Sequence, residues 1–190
     1  MTAIDTTPHH DHLTQLAALE HGATTAAVFA LFDALPPVAL ETMIGSWRGS
    51  GIATGHPLDG LLERFAWHGK RFDGPEGAHP LLFTGAGGRL FAINPAWLPL
   101  GLALRYPRLW KLPIMARLFS LVAGVLRTDK PRARLRMTAF RGVVSATMIY
   151  DALPINDVFR RVSPDVLLGI MDMRGVAQPF VFVLWREGNS

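Results

Sequence analysis

Apolar and polar positions along the chain fall into two textures. Before residue 42 the apolar positions recur three or four apart. Val28, Leu31, Phe32 and Leu35 share one face of a helix expected over 24–35, with Thr24 or Thr25 as N-cap and Pro36 and Pro37 as terminators. A shorter helix is expected over 13–20, behind a polar lead-in over 1–11 that reads as disordered. After Pro131 the period falls to two. Segments 132–140, 143–151, 155–162, 166–173 and 180–186 alternate or run apolar and are parted by Arg141-Gly142, Ser163-Pro164-Asp165 and Arg174-Gly175, which predicts an antiparallel meander.

Between these halves the pattern is mixed. Residues 44–54 read as a strand whose Gly45, Gly49 and Gly51 thin one face, as happens where a barrel strand bends or a backbone approaches closely. Asp59 is placed to cap a helix whose apolar line is Leu61, Phe65, His68 and Phe72, which puts His68 on its buried side. Residues 74–80 read as a turn-rich break, followed by short strands at 81–84 and 90–93. The stretch 97–126 is the most hydrophobic part of the chain, yet Arg105, Lys111 and Arg117 interrupt it and Pro99, Pro107 and Pro113 punctuate it. No uncharged run is long enough for a membrane span. Two short helices are expected there, forming a lid, a core plug or a membrane-surface element. The fold expected is α+β and β-rich: an antiparallel lipocalin-like β-barrel with N-terminal helices and helical insertions at 58–72 and 97–126. Residues 1–23 form the lead-in and short helix, and 24–187 a single domain.

Composition sharpens this picture. Hydrophobic residues make up 49% of the chain against 18% charged, so many apolar side chains must line an interior or a pocket. The net charge of +4 comes from scattered arginines, and without an RNP, zinc-finger or basic-zipper pattern no nucleic-acid partner is expected. The chain has no cysteine, which excludes a disulfide framework and any thiolate site and is compatible with a cytoplasmic location. His9, His10 and His12 lie in a polar N-terminal tract that lacks the apolar core of a secretory signal, and no metal site is expected of them. A serine nucleophile elbow, HExxH, GxGxxG and P-loop are all missing, so no cofactor is expected. The pattern leaves the oligomeric state open.

Several segments carry a resemblance. Phe32-Asp33-Ala34-Leu35-Pro36-Pro37, Gly45-Ser46-Trp47-Arg48-Gly49-Ser50-Gly51, Trp67-His68-Gly69-Lys70-Arg71-Phe72 and His79-Pro80-Leu81-Leu82-Phe83 resemble the GXWXG family signature. Ala133-Arg134-Leu135-Arg136, Tyr150-Asp151-Ala152-Leu153-Pro154-Ile155, Asp157-Val158-Phe159-Arg160 and Leu168-Gly169-Ile170-Met171-Asp172 resemble the DUF4334 signature that accompanies it. The glycine-tryptophan run is also similar to that of lipocalin-type and nitrobindin-type barrels, which implies a barrel. Nitrobindin-like haem binding needs an axial histidine on a late strand. The ordered candidates here, His56, His68 and His79, all precede the main sheet.

Candidate chemistry rests on a few residues. Trp47 either stacks on a ligand or closes the barrel floor with Arg48 over it. His68 is either a ligand-facing acid or base or a hydrogen-bonded core residue. Tyr150, Asp151, Asp157, Arg160 and Asp172 form the most suggestive group; Tyr150 shares a face with Met148, and Asp151 points to the opposite one, so only one of the two can look into a given cavity. Asp172 aligns with Leu168 and Ile170 on an apolar face, so it needs an arginine, Arg160, Arg136 or Arg134, if that face is the inner one. The group is either a polar anchor or proton-transfer pair in an apolar pocket, or a structural salt bridge at a barrel end. Two functions follow: a carrier or sensor for a small hydrophobic molecule, or a cofactor-free isomerase, dehydratase or cyclase using His68, Tyr150 or an aspartate such as Asp172.

Overall fold

The computed structural model describes residues 7–188. Its strands are β1 (Gly45–Ile52), β2 (Trp67–Gly74), β3 (Gly77–Thr84), β4 (Leu90–Ala92), β5 (Ala133–Phe140), β6 (Val143–Tyr150), β7 (Ile155–Ser163), β8 (Val166–Met173) and β9 (Phe180–Arg186). All but β4 form a closed antiparallel barrel in which each strand pairs with its sequence neighbours and β9 pairs with β1. The small β4 adds to the edge of β3 at Leu82, Phe83 and Thr84, while β5 meets β3 at Ala78 alone. The five late strands lie where the alternation after residue 131 predicts them.

Two helices cover one side of this barrel. They are α1 (Thr7–Glu20) and α2 (Thr25–Ala34), and α1 begins at Thr7 rather than at residue 13, inside the expected disordered lead-in; residues 1–6 of that lead-in lie outside the described residues. Thr24 caps α2, its hydroxyl accepting from the Ala27 amide at 3.2 Å. Val28, Leu31 and Phe32 then bury one helical face against the outward side chains Val158, Val162, Leu168, Ile170, Val181 and Val183. Burial of each such helix side chain contributes roughly 1.5–3 kcal/mol. Strands β7 to β9 are therefore apolar on both faces.

The barrel interior is a second apolar cluster. Leu135, Met148, Phe159, Leu167 and Leu184 fill its middle, and α3 (Leu40–Met43) packs with Trp47 and Phe72 at one end. The expected helix over 58–72 is overturned. Only α4 (Leu61–Arg64) is helical, because the backbone turns left-handed at Gly60 (φ 73°) and again at Ala66 (φ 60°), and β2 starts at Trp67. Residues 77–80, expected as a break, are the first half of β3.

Strand β2 is irregular at a point that matters. Its pairing with β3 shifts register on both sides of Gly69, whose φ is 154°. A bulge re-phases the alternation of a strand. Trp67, Lys70 and Phe72 are consequently the buried side chains, and His68 and Arg71 turn outward.

The third feature is the insertion between β4 and β5, with three helices where two were expected: α5 (Leu100–Arg105), α6 (Pro107–Trp110) and α7 (Pro113–Leu126). Its two ends are tied together by the Ile93–Arg127 bridge and by the Asn94 amide donating to the Leu126 carbonyl at 2.9 Å. Leu98, Leu100, Trp110 and Phe119 pack onto the interior cluster, so the insertion roofs the barrel. No helix among the described residues is long and apolar enough to cross a membrane.

Candidate functional site

Beneath this roof lies an apolar cavity of about 80 Å³. Leu58, Leu62 and Leu81 come from around α4 and from β3, Trp67 from β2, Phe180 and Phe182 from β9, and Leu98 and Leu100 from the roof. A second apolar space of about 110 Å³ adjoins it and shares Leu58, Leu62, Leu98 and Leu100 with it. Each alone is smaller than the roughly 150 Å³ that admits a benzene-sized guest, and those four leucines form the boundary common to the two.

Three polar side chains break the apolar wall: Lys70, Asp157 and Tyr150. The Lys70 ammonium donates to Asp157 Oδ2 at 2.8 Å and to the Pro80 carbonyl at 3.2 Å, and both partners of the ion pair are almost fully buried. Tyr150 donates its hydroxyl proton to the same Oδ2 at 3.4 Å. The Lys70 ammonium also lies 4.8 Å from the centre of the Phe182 ring. Asp157 Oδ1 is buried and has no hydrogen-bond partner among the described residues; the same holds for the indole nitrogen of Trp67. Burial pushes the Asp157 carboxyl above the ordinary aspartate value, against the opposing pull of Lys70, and burial and then the Asp157 charge push the Tyr150 phenol well above its own.

Each of these side chains has a local cause. Lys70 faces inward because of the Gly69 bulge. Asp157 faces inward because it alternates with Val158, which lies under the N-terminal helices, and it stands opposite Met148 in the β6–β7 register. Tyr150 shares its face with Met148, as expected from the alternation, and Asp151 is exposed. Met148 is fully buried beside the cluster without lining the cavity.

The remaining candidates lie elsewhere. Asp172 is exposed, with no salt bridge among the described residues, which overturns its expected pairing with Arg160, Arg136 or Arg134. Its neighbours Leu168 and Ile170 are indeed on an apolar face, but that face is the outer one, buried under α1 and α2, and Asp172 lies beyond their cover. Arg160 is fully buried on the same outer side, 5.1 Å from the Phe32 ring centre and bonded to the Phe140 carbonyl at 3.3 Å. Arg136 pairs with Glu76 at 2.6 Å on the surface, and Arg134 is exposed. His68 is not on a helix and does not face the cavity. It bonds Glu187 at 2.8 Å beside a surface groove that also holds Arg48 and Trp185.

Trp47 is fully buried and donates its indole N–H to the Met43 carbonyl at 2.7 Å, tying α3 to the barrel end. The cation above its ring is Arg186, at 4.2 Å, and not Arg48, which sits 5.9 Å from the ring centre of Trp185. His56, His68 and His79 are all absent from the cavity wall. Lys70 is not evident from the sequence because a lysine between Gly69 and Arg71 looks solvated. The signal for it was Trp67 and Phe72 flanking a glycine, a spacing that fits a bulged strand.

The comparisons with known proteins agree with this architecture. The family model described as GXWXG protein matches residues 30–88, and that described as Domain of unknown function (DUF4334) matches residues 131–186. The stretch between the two matches carries α5, α6 and α7. No curated protein matches the chain. The crystal structure of a protein from Thermomonospora curvata is similar over 95% of this chain and 99% of that one, at 32% identity and a TM-score of 0.70. With both signatures in place along one barrel, the chain belongs to the GXWXG/DUF4334 family.

Proposed function

We propose that this protein is a carrier or sensor that takes a small, mostly apolar molecule bearing one hydroxyl group into the barrel cavity. The observation that carries the reading is Asp157 Oδ1, a buried oxygen without a partner among the described residues, in a wall that is otherwise almost wholly apolar. Leaving such a group unsatisfied costs about 1–3 kcal/mol, and a ligand hydroxyl donating to it recovers that cost. Lys70 and Tyr150 hold the carboxylate in place, and the leucines and aromatic rings take the apolar body. Native mass spectrometry of the purified protein, with solvent extraction, tests this directly. Small hydrophobic alcohols, terpenoid alcohols among them, are expected to raise the melting temperature and change Trp67 fluorescence, whereas the matching hydrocarbons bind more weakly. If no bound species appears and no alcohol or hydrocarbon of the panel shifts either signal, the reading fails.

A second reading is proton transfer on such a ligand. It is favoured by Asp157 Oδ2 being shared between an ammonium and a phenol whose proton affinity burial has altered. In this reading Asp157 and Tyr150, rather than His68 or Asp172, exchange the proton. Incubation of the bound alcohol in heavy water distinguishes the two, because a carrier leaves its carbon-bound hydrogens in place and an isomerase or dehydratase exchanges or removes them.

A further inference from the structure

The roof has a second face. Along α7 the side chains Ile114, Leu118, Leu121 and Val125 recur at helical spacing, and all four point away from the barrel, Leu121 81% and Val125 75% exposed. Trp97 and Tyr106, on the same insertion, are also more than half exposed. A contiguous apolar stripe of this size is uncommon on a free surface and marks a contact.

Charge says what kind of contact. Between residues 77 and 128 the chain contains no aspartate or glutamate, while Arg89, Arg105, Arg108, Lys111, Arg117 and Arg127 all fall there. None of the six takes part in a salt bridge among the described residues. A two-fold contact between copies of the insertion would bring together segments that carry four of these cations, Arg105, Arg108, Lys111 and Arg117, and no carboxylate of their own. An anionic lipid surface meets both requirements: headgroups for the cations and acyl chains for the stripe. Exposed tryptophan and tyrosine suit the interfacial layer in between.

We propose that the α5–α7 insertion docks on anionic membrane surfaces, with α7 lying in the plane of the interface. This stands apart from the ligand reading.

The test is co-sedimentation of the full chain with vesicles, one set pure phosphatidylcholine and the other one-third phosphatidylglycerol. The chain is expected to sediment with the anionic set and to bind the neutral set roughly tenfold or more weakly. Raising salt from about 0.1 M to about 1 M, which shortens the screening length from about 10 Å to about 3 Å, is expected to release it. Leu121→Asp/Val125→Asp is expected to abolish binding without lowering the melting temperature, since both side chains are exposed. Val144→Asp, also exposed but on β6, is expected to leave binding unchanged. No sedimentation with either set, equal binding to both, or binding that survives the double substitution overturns the proposal. So does a lipid-free dimer that the double substitution dissolves, which would make a second copy the occupant.

Discussion

Gly69 carries its α-carbon against the carbonyl oxygen of Trp47 on the neighbouring strand, where an added Cβ would collide with the backbone. Its φ of 154° is also one that other residues rarely adopt. Gly69→Ala is therefore expected to lower stability by about 3 kcal/mol or more, since strain and a backbone clash add. Gly142→Ala is the control: its φ is 79°, but nothing lies within 4 Å of the place its Cβ would take, so only left-handed strain of about 1–2 kcal/mol applies. Urea unfolding of the two variants checks the difference, and equal losses would contradict the clash.

Lys70 and Asp157 are expected to behave as a coupled pair. Lys70→Met alone leaves a buried carboxylate without its cation, at a cost of about 3–5 kcal/mol. Replacing both, as Lys70→Met/Asp157→Leu, removes the uncompensated charge and is expected to cost clearly less than the sum of the single changes. A double-mutant cycle by chemical denaturation measures the coupling, and strict additivity would show that the two charges do not interact.

Asp172→Ala is expected to change stability by no more than about 0.5 kcal/mol, because the carboxylate is exposed and has no salt bridge among the described residues. Thermal unfolding is sufficient to check it. A large loss would return Asp172 to the interior.

Acid is expected to weaken the fold through His56. This side chain is almost fully buried, and burial, helped by Lys111, holds its imidazole below the ordinary value of 6.5 despite the opposing Asp59 charge. The native state then binds fewer protons than the unfolded chain, so the contribution is present above 6.5 and lost as pH falls through the depressed native value. Burial acts on His79 in the same direction, whereas the raised Asp157 carboxyl acts in the opposite one. The urea midpoint of His56→Asn is therefore expected to fall less steeply than that of the wild type between about pH 7 and about pH 5. Equal slopes would exclude His56 as a source.

The sequence was most legible where one physical rule acted alone. Thr24 and the spacing of Val28, Leu31 and Phe32 announce α2, and the late strands follow from alternation between glycine and proline turns. It was least legible where two rules overlap. Leu61, Phe65, His68 and Phe72 fit a helical stripe, but the last two belong to a strand whose period is broken by the Gly69 bulge. Parity places Tyr150 and Met148 on one face, but it does not single out Asp157 from Arg160 and Asp172, and the cation that meets Asp157 is hidden by that same bulge. Alternation turns Asp172 inward only if the apolar face of Leu168 and Ile170 is the inner one. Here β8 has two cores, one inside the barrel and one beneath the helices, and sequence alternation does not say which is which.

The pairing of the first strand with the last has a consequence for how the chain comes to be folded. Residues 47–52 of β1 pair with residues 181–186 of β9, so the ring cannot close until the more than one hundred residues between them are available. Such distant pairing is slow, because the entropy of closing the intervening loop is lost before the contacts form. Until then β1 presents a bare edge to other chains during synthesis, a template for aggregation that only β9 conceals. Phe180 and Phe182, which wall the cavity, arrive on that same final strand. The interior is thus enclosed only once β9 is in place, and a chain that stops short of residue 180 is left as an open sheet with no cavity.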